Sequence, residues 1–190
     1  MRSVLLAACL LLPPPLAFAE DAIGPARIVS AATGDWDKNG VSDLVLLVAP
    51  PEGSDEDNGV YVYLTNDVGR LLLKSLIPDK VWGHFGLYGQ APSVSALPNG
   101  SIEIASHNDA IGRDRWEQKL TVAYRGSEFV VAGYTYSSYD TLDLDNTTQC
   151  DFNVLSGKGT ANAKPIRAKG ATIPLKDWSD EIGQRACDAR

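Results

Sequence analysis

The chain has 190 residues, 44% of them hydrophobic and 22% charged, with a formal net charge of −7. An acidic balance disfavours nucleic acid and anionic membrane surfaces as partners and leaves divalent cations or basic partners open. After the first residues, no stretch is long and apolar enough for a membrane span.

Residues 1–19 read as a secretory leader. Arg2 supplies the positive start, Val4 to Leu12 the apolar stretch, and Ala17-Phe18-Ala19 a small-residue cleavage site before Glu20. Pro13-Pro14-Pro15 would break a helix there. Leu6-Ala7-Ala8-Cys9 has the form of a lipoprotein cleavage box, an alternative weakened by an apolar run that continues past Cys9. The expected location is therefore periplasmic or secreted. Loss of residues 1–19 removes one arginine and no acid, taking the formal charge from −7 to −8. About 170 residues remain, enough for a single domain, 20–190, with its own core. Cys150 and Cys187 are then an even pair in an oxidising compartment and are expected to be joined. Closing a loop of that length stabilises a fold by about 3–4 kcal/mol on the chain-entropy model.

The pattern that follows is β throughout. Residues 27–32 predict a first strand and 43–48 a nearly continuous apolar one. Pro50 to Gly59 is a loop by composition, 60–65 alternates Val and Tyr as a strand, and Asn66-Asp67-Val68-Gly69 turns it into 70–77. These four form one antiparallel, blade-like sheet. A second sheet is expected over 92–155, with strands at 92–97, 101–106, 116–124, 128–136 and 150–155. Residues 158–172, rich in Ala, Lys and Gly, carry little pattern. One helix is expected at 177–187, capped by Asp177, with Trp178, Ile182 and Ala186 on one face. The fold class is all-β, two antiparallel sheets resembling propeller blades, with a β-sandwich as the alternative packing.

The chemistry concentrates in "GDWDKNGVSD". Asp35, Asp37, Asn39 and Asp43 occupy positions 1, 3, 5 and 9 of a loop with Gly40 at position 6. Calcium wants six to eight hard oxygens, and alternate residues of a tight bend point to a common centre. Gly at position 6 permits the sharp turn, and Val41 at position 7 would offer its carbonyl. The Glu of an EF-hand is missing, since Leu46 stands at position 12, and an apolar strand follows where a helix would be required. A polar β-turn is the alternative reading, but three crowded carboxylates without a cation repel one another.

Other clusters are weaker. "SHNDAIGRDRW" gathers His107, Asp109 and Arg113, which a functional reading makes a general base and an anion clamp. The alternative is a polar connection whose Arg–Asp pairs fix its shape. Trp36, Trp82, Tyr88 and Trp116 could stack on sugars or grip a peptide, or could be core. Trp36 falls between two ligand positions and should point away from the ion, towards solvent or a neighbouring sheet. Asp143 to Asp151 spaces acids alternately but has Thr148 where a left-handed bend is needed. No G-x-S-x-G, H-E-x-x-H or phosphate-binding glycine loop occurs.

"GDWDKNGVSDLVLLVAP" resembles the calcium loop of FG-GAP/VCBS repeats, found in integrin alpha-chain β-propellers and in many secreted bacterial proteins. Those repeats carry a Gly-Asp start, D-x-[DN]-x-[DN]-G-x-x-D, an apolar strand and often a Gly-Ala-Pro ending, here Val48-Ala49-Pro50. The resemblance implies a structural Ca2+ held by Asp35, Asp37, Asn39, the Val41 carbonyl and Asp43. Only one intact loop is present, and a full wheel of four to eight blades exceeds this length. The expected function is a calcium-stabilised binding or interaction module for a protein or glycan. The alternatives are a hydrolase centred on His107 and Asp109, or a periplasmic inhibitor or assembly factor.

Overall fold

The computed structural model describes residues 23–84 and 86–188. The expected leader, Cys9 and the cleavage site lie outside those residues. Two antiparallel sheets and one short helix make up the structure. The first sheet is a meander in chain order: β1 (Ile28–Gly34), β2 (Asp43–Val48), β3 (Asn58–Thr65) and β4 (Leu71–Val81). Its register pairs Val45 with Val62, Leu47 with Val60, and Val60 with Ile77. Side chains alternate across a strand, so these five share one face, and each is buried.

The second sheet contains β5 (Ser93–Ala96), β6 (Ile102–Asn108), β7 (Asp114–Arg125), β8 (Glu128–Asp140) and β9 (Thr147–Asn153). Beyond these lie β10 (Lys158–Ala161) and β11 (Lys164–Arg167), all in sequential order, while the short β12 (Ile173–Pro174) pairs with β8. Ile102, Ile104, Leu120, Val122 and Tyr134 from this sheet join Val45, Leu47, Val60, Val62 and Ile77 in one hydrophobic cluster. The two sheets thus share a core. Each buried Val, Leu or Ile there contributes about 1.5–3 kcal/mol. β1 and β5 lie side by side, where the Val94 N–H donates to the Ser30 hydroxyl at 3.1 Å.

Three details differ from the expectation. Residues 158–172 contain the β10–β11 hairpin, turned by Asn162 and Ala163 with φ of 47° and 61°. That two-residue turn with both central residues left-handed is a standard hairpin closure, although Asn-Ala is a less usual pair for it than Asn-Gly. β4 continues through Pro78, which an outer strand tolerates because no ladder bond is required on its free side. The helix α1 (Asp180–Asp188) begins beyond Asp177, which sits in a 3-10 turn over Leu175–Asp177.

The disulfide joins Cys150 of β9 to Cys187 of α1, with Cα atoms 5.9 Å apart. It fastens the helix to the second sheet. Among the described residues, no helix is long and apolar enough to cross a membrane. The disulfide is compatible with an extracellular setting.

Candidate metal centre

The bend between β1 and β2 holds the acidic loop. Lys38 and Gly40 both adopt left-handed backbone, at φ of 64° and 86°. These two reversals fold ten residues back on themselves so that Asp35, Asp37 and Asp43 converge. One carboxylate oxygen from each lies within 4.8 Å of the other two. It is the one group of three or more acidic, His or Cys side chains so arranged among the described residues, and nothing comparable forms at Asp143 to Asp151.

Hydrogen bonds set the loop in place. Asp35 Oδ2 accepts the Gly40 N–H at 3.0 Å, and Asp37 Oδ1 accepts the Asn39 N–H at 3.1 Å. Asn39 Oδ1 accepts the Val41 N–H at 2.8 Å, while its Nδ2 donates to the Thr65 carbonyl at 2.8 Å and to Asp37 Oδ2 at 3.2 Å. Asp43 is the anchor, only 1% exposed, with Oδ2 accepting the Trp36 N–H and Oδ1 the Thr65 N–H. Thr65 also donates its hydroxyl to the Ser42 carbonyl at 2.6 Å. Thr65 is therefore a positioning residue that the sequence pattern does not reveal, because its role depends on the β2–β3 register.

Burying a carboxylate is unfavourable unless charge and hydrogen bonds compensate it. The main-chain donors supply part of that compensation. No Lys, Arg or His among the described residues forms an ion pair with Asp35, Asp37 or Asp43. Each bonded oxygen keeps a second lone pair, so the set retains capacity for a hard cation. Three carboxylates, an amide oxygen and a neighbouring carbonyl are the donor chemistry calcium takes. Asn39 and Val41 share the bend, both at the exposed surface, and the convergence itself is carried by the three acids.

Trp36 does point away from the carboxylates, but it enters the core and is 3% exposed. It presents no face to a ligand, which corrects its candidacy as a binding residue. Its indole covers Gly34, where a Cβ would meet the ring at 3.0 Å. The glycine before the acidic run is thus a packing requirement of the tryptophan two residues on.

Arg113 is also committed elsewhere. Its Nε and Nη2 meet Asp140 Oδ1 and Oδ2, each at 2.5 Å, in a fork that ties the β6–β7 loop to the end of β8. Asp140, buried, also accepts the Leu142 N–H at 2.8 Å. The hydrogen bond from Arg113 holds the Asp140 carboxyl below the usual carboxylate range. Arg113 therefore fixes the shape of this loop and is not a free anion clamp.

His107 and Asp109 do come together, with Nε2 and Oδ2 3.7 Å apart. They line an open cavity of about 350 Å³ with Trp116, Glu117, Ser137 and Tyr139. The register places His107, Glu117 and Ser137 on one rung across β6, β7 and β8. Strand spacing then separates Ser137 from His107 by about 10 Å, so this serine is not within reach of that base. Glu117, Ser137 and Tyr139 escaped the sequence reading because only strand pairing brings them beside His107. Trp82 and Trp116 meet with ring centroids 5.0 Å apart, and Tyr88 is exposed.

Comparison with protein-family models, curated proteins and solved structures finds no match.

Proposed function

We propose that this protein is an extracytoplasmic, calcium-stabilised binding or interaction module of the FG-GAP/VCBS type, with a single structural ion in the bend between β1 and β2. The observation that carries the reading is the convergence of the Asp35, Asp37 and Asp43 carboxylates with no basic side chain among the described residues paired to them. Asp35, Asp37, Asn39, the Val41 carbonyl and Asp43 would hold the ion. Its contribution is mechanical. Asp43 begins β2 and is bonded to the end of β3, so charge neutralisation there stabilises two strands of the first sheet at once. A ligand that binds only the folded state adds about 2.7 kcal/mol when present at a hundred times its dissociation constant.

Thermal unfolding with calcium and with chelator, on the parent and on Asp37→Ala, tests this. The parent should melt higher in calcium, and the variant should melt at one temperature in both. Identical parental curves would remove the basis for the reading.

A further inference from the structure

The open cavity on the second sheet lies on a different sheet from the acidic loop, and its chemistry is of another kind. We propose that it binds a neutral, hydroxyl-rich saccharide, through His107, Asp109, Glu117, Ser137 and Tyr139. This inference does not rest on the calcium reading.

The first support is spare hydrogen-bonding capacity on a fixed frame. The Ser137 and Tyr139 hydroxyls make no hydrogen bond to another described residue. His107 has only the 3.7 Å approach of Asp109, longer than a hydrogen bond. A hydroxyl, a phenol, an imidazole and two carboxylates together offer donors and acceptors in close alternation. Sugar hydroxyls both donate and accept, which suits that mixture.

Position is the second support. His107, Glu117 and Ser137 are directly paired across three strands, so their side chains stand in a row at intervals of about 5 Å. Tyr139 follows Ser137 by two residues on the same face and is 45% exposed as a residue, giving an apolar surface for the C–H face of a sugar ring. Trp116, at the edge of the cavity, is turned against Trp82, and Tyr139 is the aromatic residue in line with this row. Asp109 is held by its N–H bond to the Gly89 carbonyl at 2.8 Å. The side-chain amide of its neighbour Asn108 donates to the Ile111 carbonyl at 2.7 Å and accepts the Ile111 N–H at 3.1 Å. The wall is built before any ligand arrives.

Charge is the third. Glu117 is paired with Lys119 at 2.9 Å, and Asp109 faces His107. One of the two carboxylates is thus balanced by a lysine, and no Lys or Arg lines the cavity to hold a phosphate, sulfate or uronate group. A volume of about 350 Å³ lies at the small end of ligand sites and matches one or two sugar rings.

Amide-resolved NMR titration at millimolar concentrations of cellopentaose, maltopentaose, mannopentaose, galactotetraose and chitotetraose tests the proposal, with pentalysine as the cationic comparison. At least one of the neutral sugars should shift the amides of His107, Glu117, Ser137 and Tyr139. Tyr139→Ala and Ser137→Ala, both at positions outside the core, should each weaken that sugar about tenfold or more, with melting temperature unchanged. The titration in chelator should give the same shifts if the cavity is independent of the loop. Silence from every sugar overturns the proposal, as does a response confined to pentalysine.

Discussion

Asp43 Oδ1 accepts the main-chain N–H of Thr65 at 2.8 Å, across 22 residues of sequence. The second oxygen accepts the N–H of Trp36 at 2.9 Å. One buried side chain thus holds the acidic bend, the start of β2 and the end of β3 in a common frame. Asp43→Asn replaces one acceptor by a donor facing an N–H. Loss of a buried bond of this kind costs about 1–3 kcal/mol. Chemical denaturation should show that loss both in calcium and in chelator. Asp35→Asn, at an exposed position that can keep its bond to Gly40 through the amide oxygen, should lose the calcium-dependent stability and, with one charge fewer in the cluster, be no less stable than the parent in chelator.

Trp36→Ala removes a large indole from the shared core. Phe or Trp to Ala changes in cores cost about 3–5 kcal/mol, and denaturant unfolding should fall in that range. Restoring volume on the other partner is informative. Gly34→Val should also destabilise, because its side chain would collide with the indole, and the loss should shrink in the Trp36→Ala background.

The Cys150–Cys187 bond ties α1 to β9. Replacing both cysteines with Ala should lower stability by about 3–4 kcal/mol on the loop-entropy model. Amide exchange should localise the added opening to residues 180–188 and β9, leaving the first sheet protected.

Two carboxyls, the buried Asp140 and Asp180 at the start of α1, give opposite pH signatures. Asp140 is held below the normal carboxylate range, mainly by the hydrogen bond from Arg113. Its contribution is complete above the unfolded value, near pH 4, and is lost as pH falls through the lower folded value. Partial desolvation of its carboxyl pushes Asp180 up, against the hydrogen bond from Gln118 and the charge of Lys80. A raised folded value means a penalty that is absent below about pH 4 and is fully developed above the folded value. Asp180→Asn should therefore be more stable than the parent at neutral pH, and the two should converge in acid. Arg113→Leu should show its deficit at neutral pH and lose it in strong acid. Urea midpoints across pH read both.

Much of the first sheet was legible from residues 34–65 because each local signal agrees there. Gly40 supplies the bend, alternate acids face one way, and Val45, Leu47, Val60 and Val62 repeat every second residue onto the core. The β10–β11 hairpin was not legible, since Lys158–Ala161 is a short polar strand with little to bury, and Asn162-Ala163 is a weak turn signature. The direction of Trp36 was half legible. Alternation takes it away from the acids, but only the facing sheet explains why it ends in the core. The cavity beside His107 required knowledge of pairing, because Glu117 and Ser137 are distant from it in sequence and adjacent in register.

Isothermal calorimetry with calcium on chelator-stripped, dialysed protein tests the central claim most directly. The account predicts one saturable site per chain, lost in the Asp35→Asn, Asp37→Asn double variant while its circular dichroism stays that of a folded β protein. Absence of binding heat at several temperatures, with parental unfolding unchanged by the metal, would contradict it.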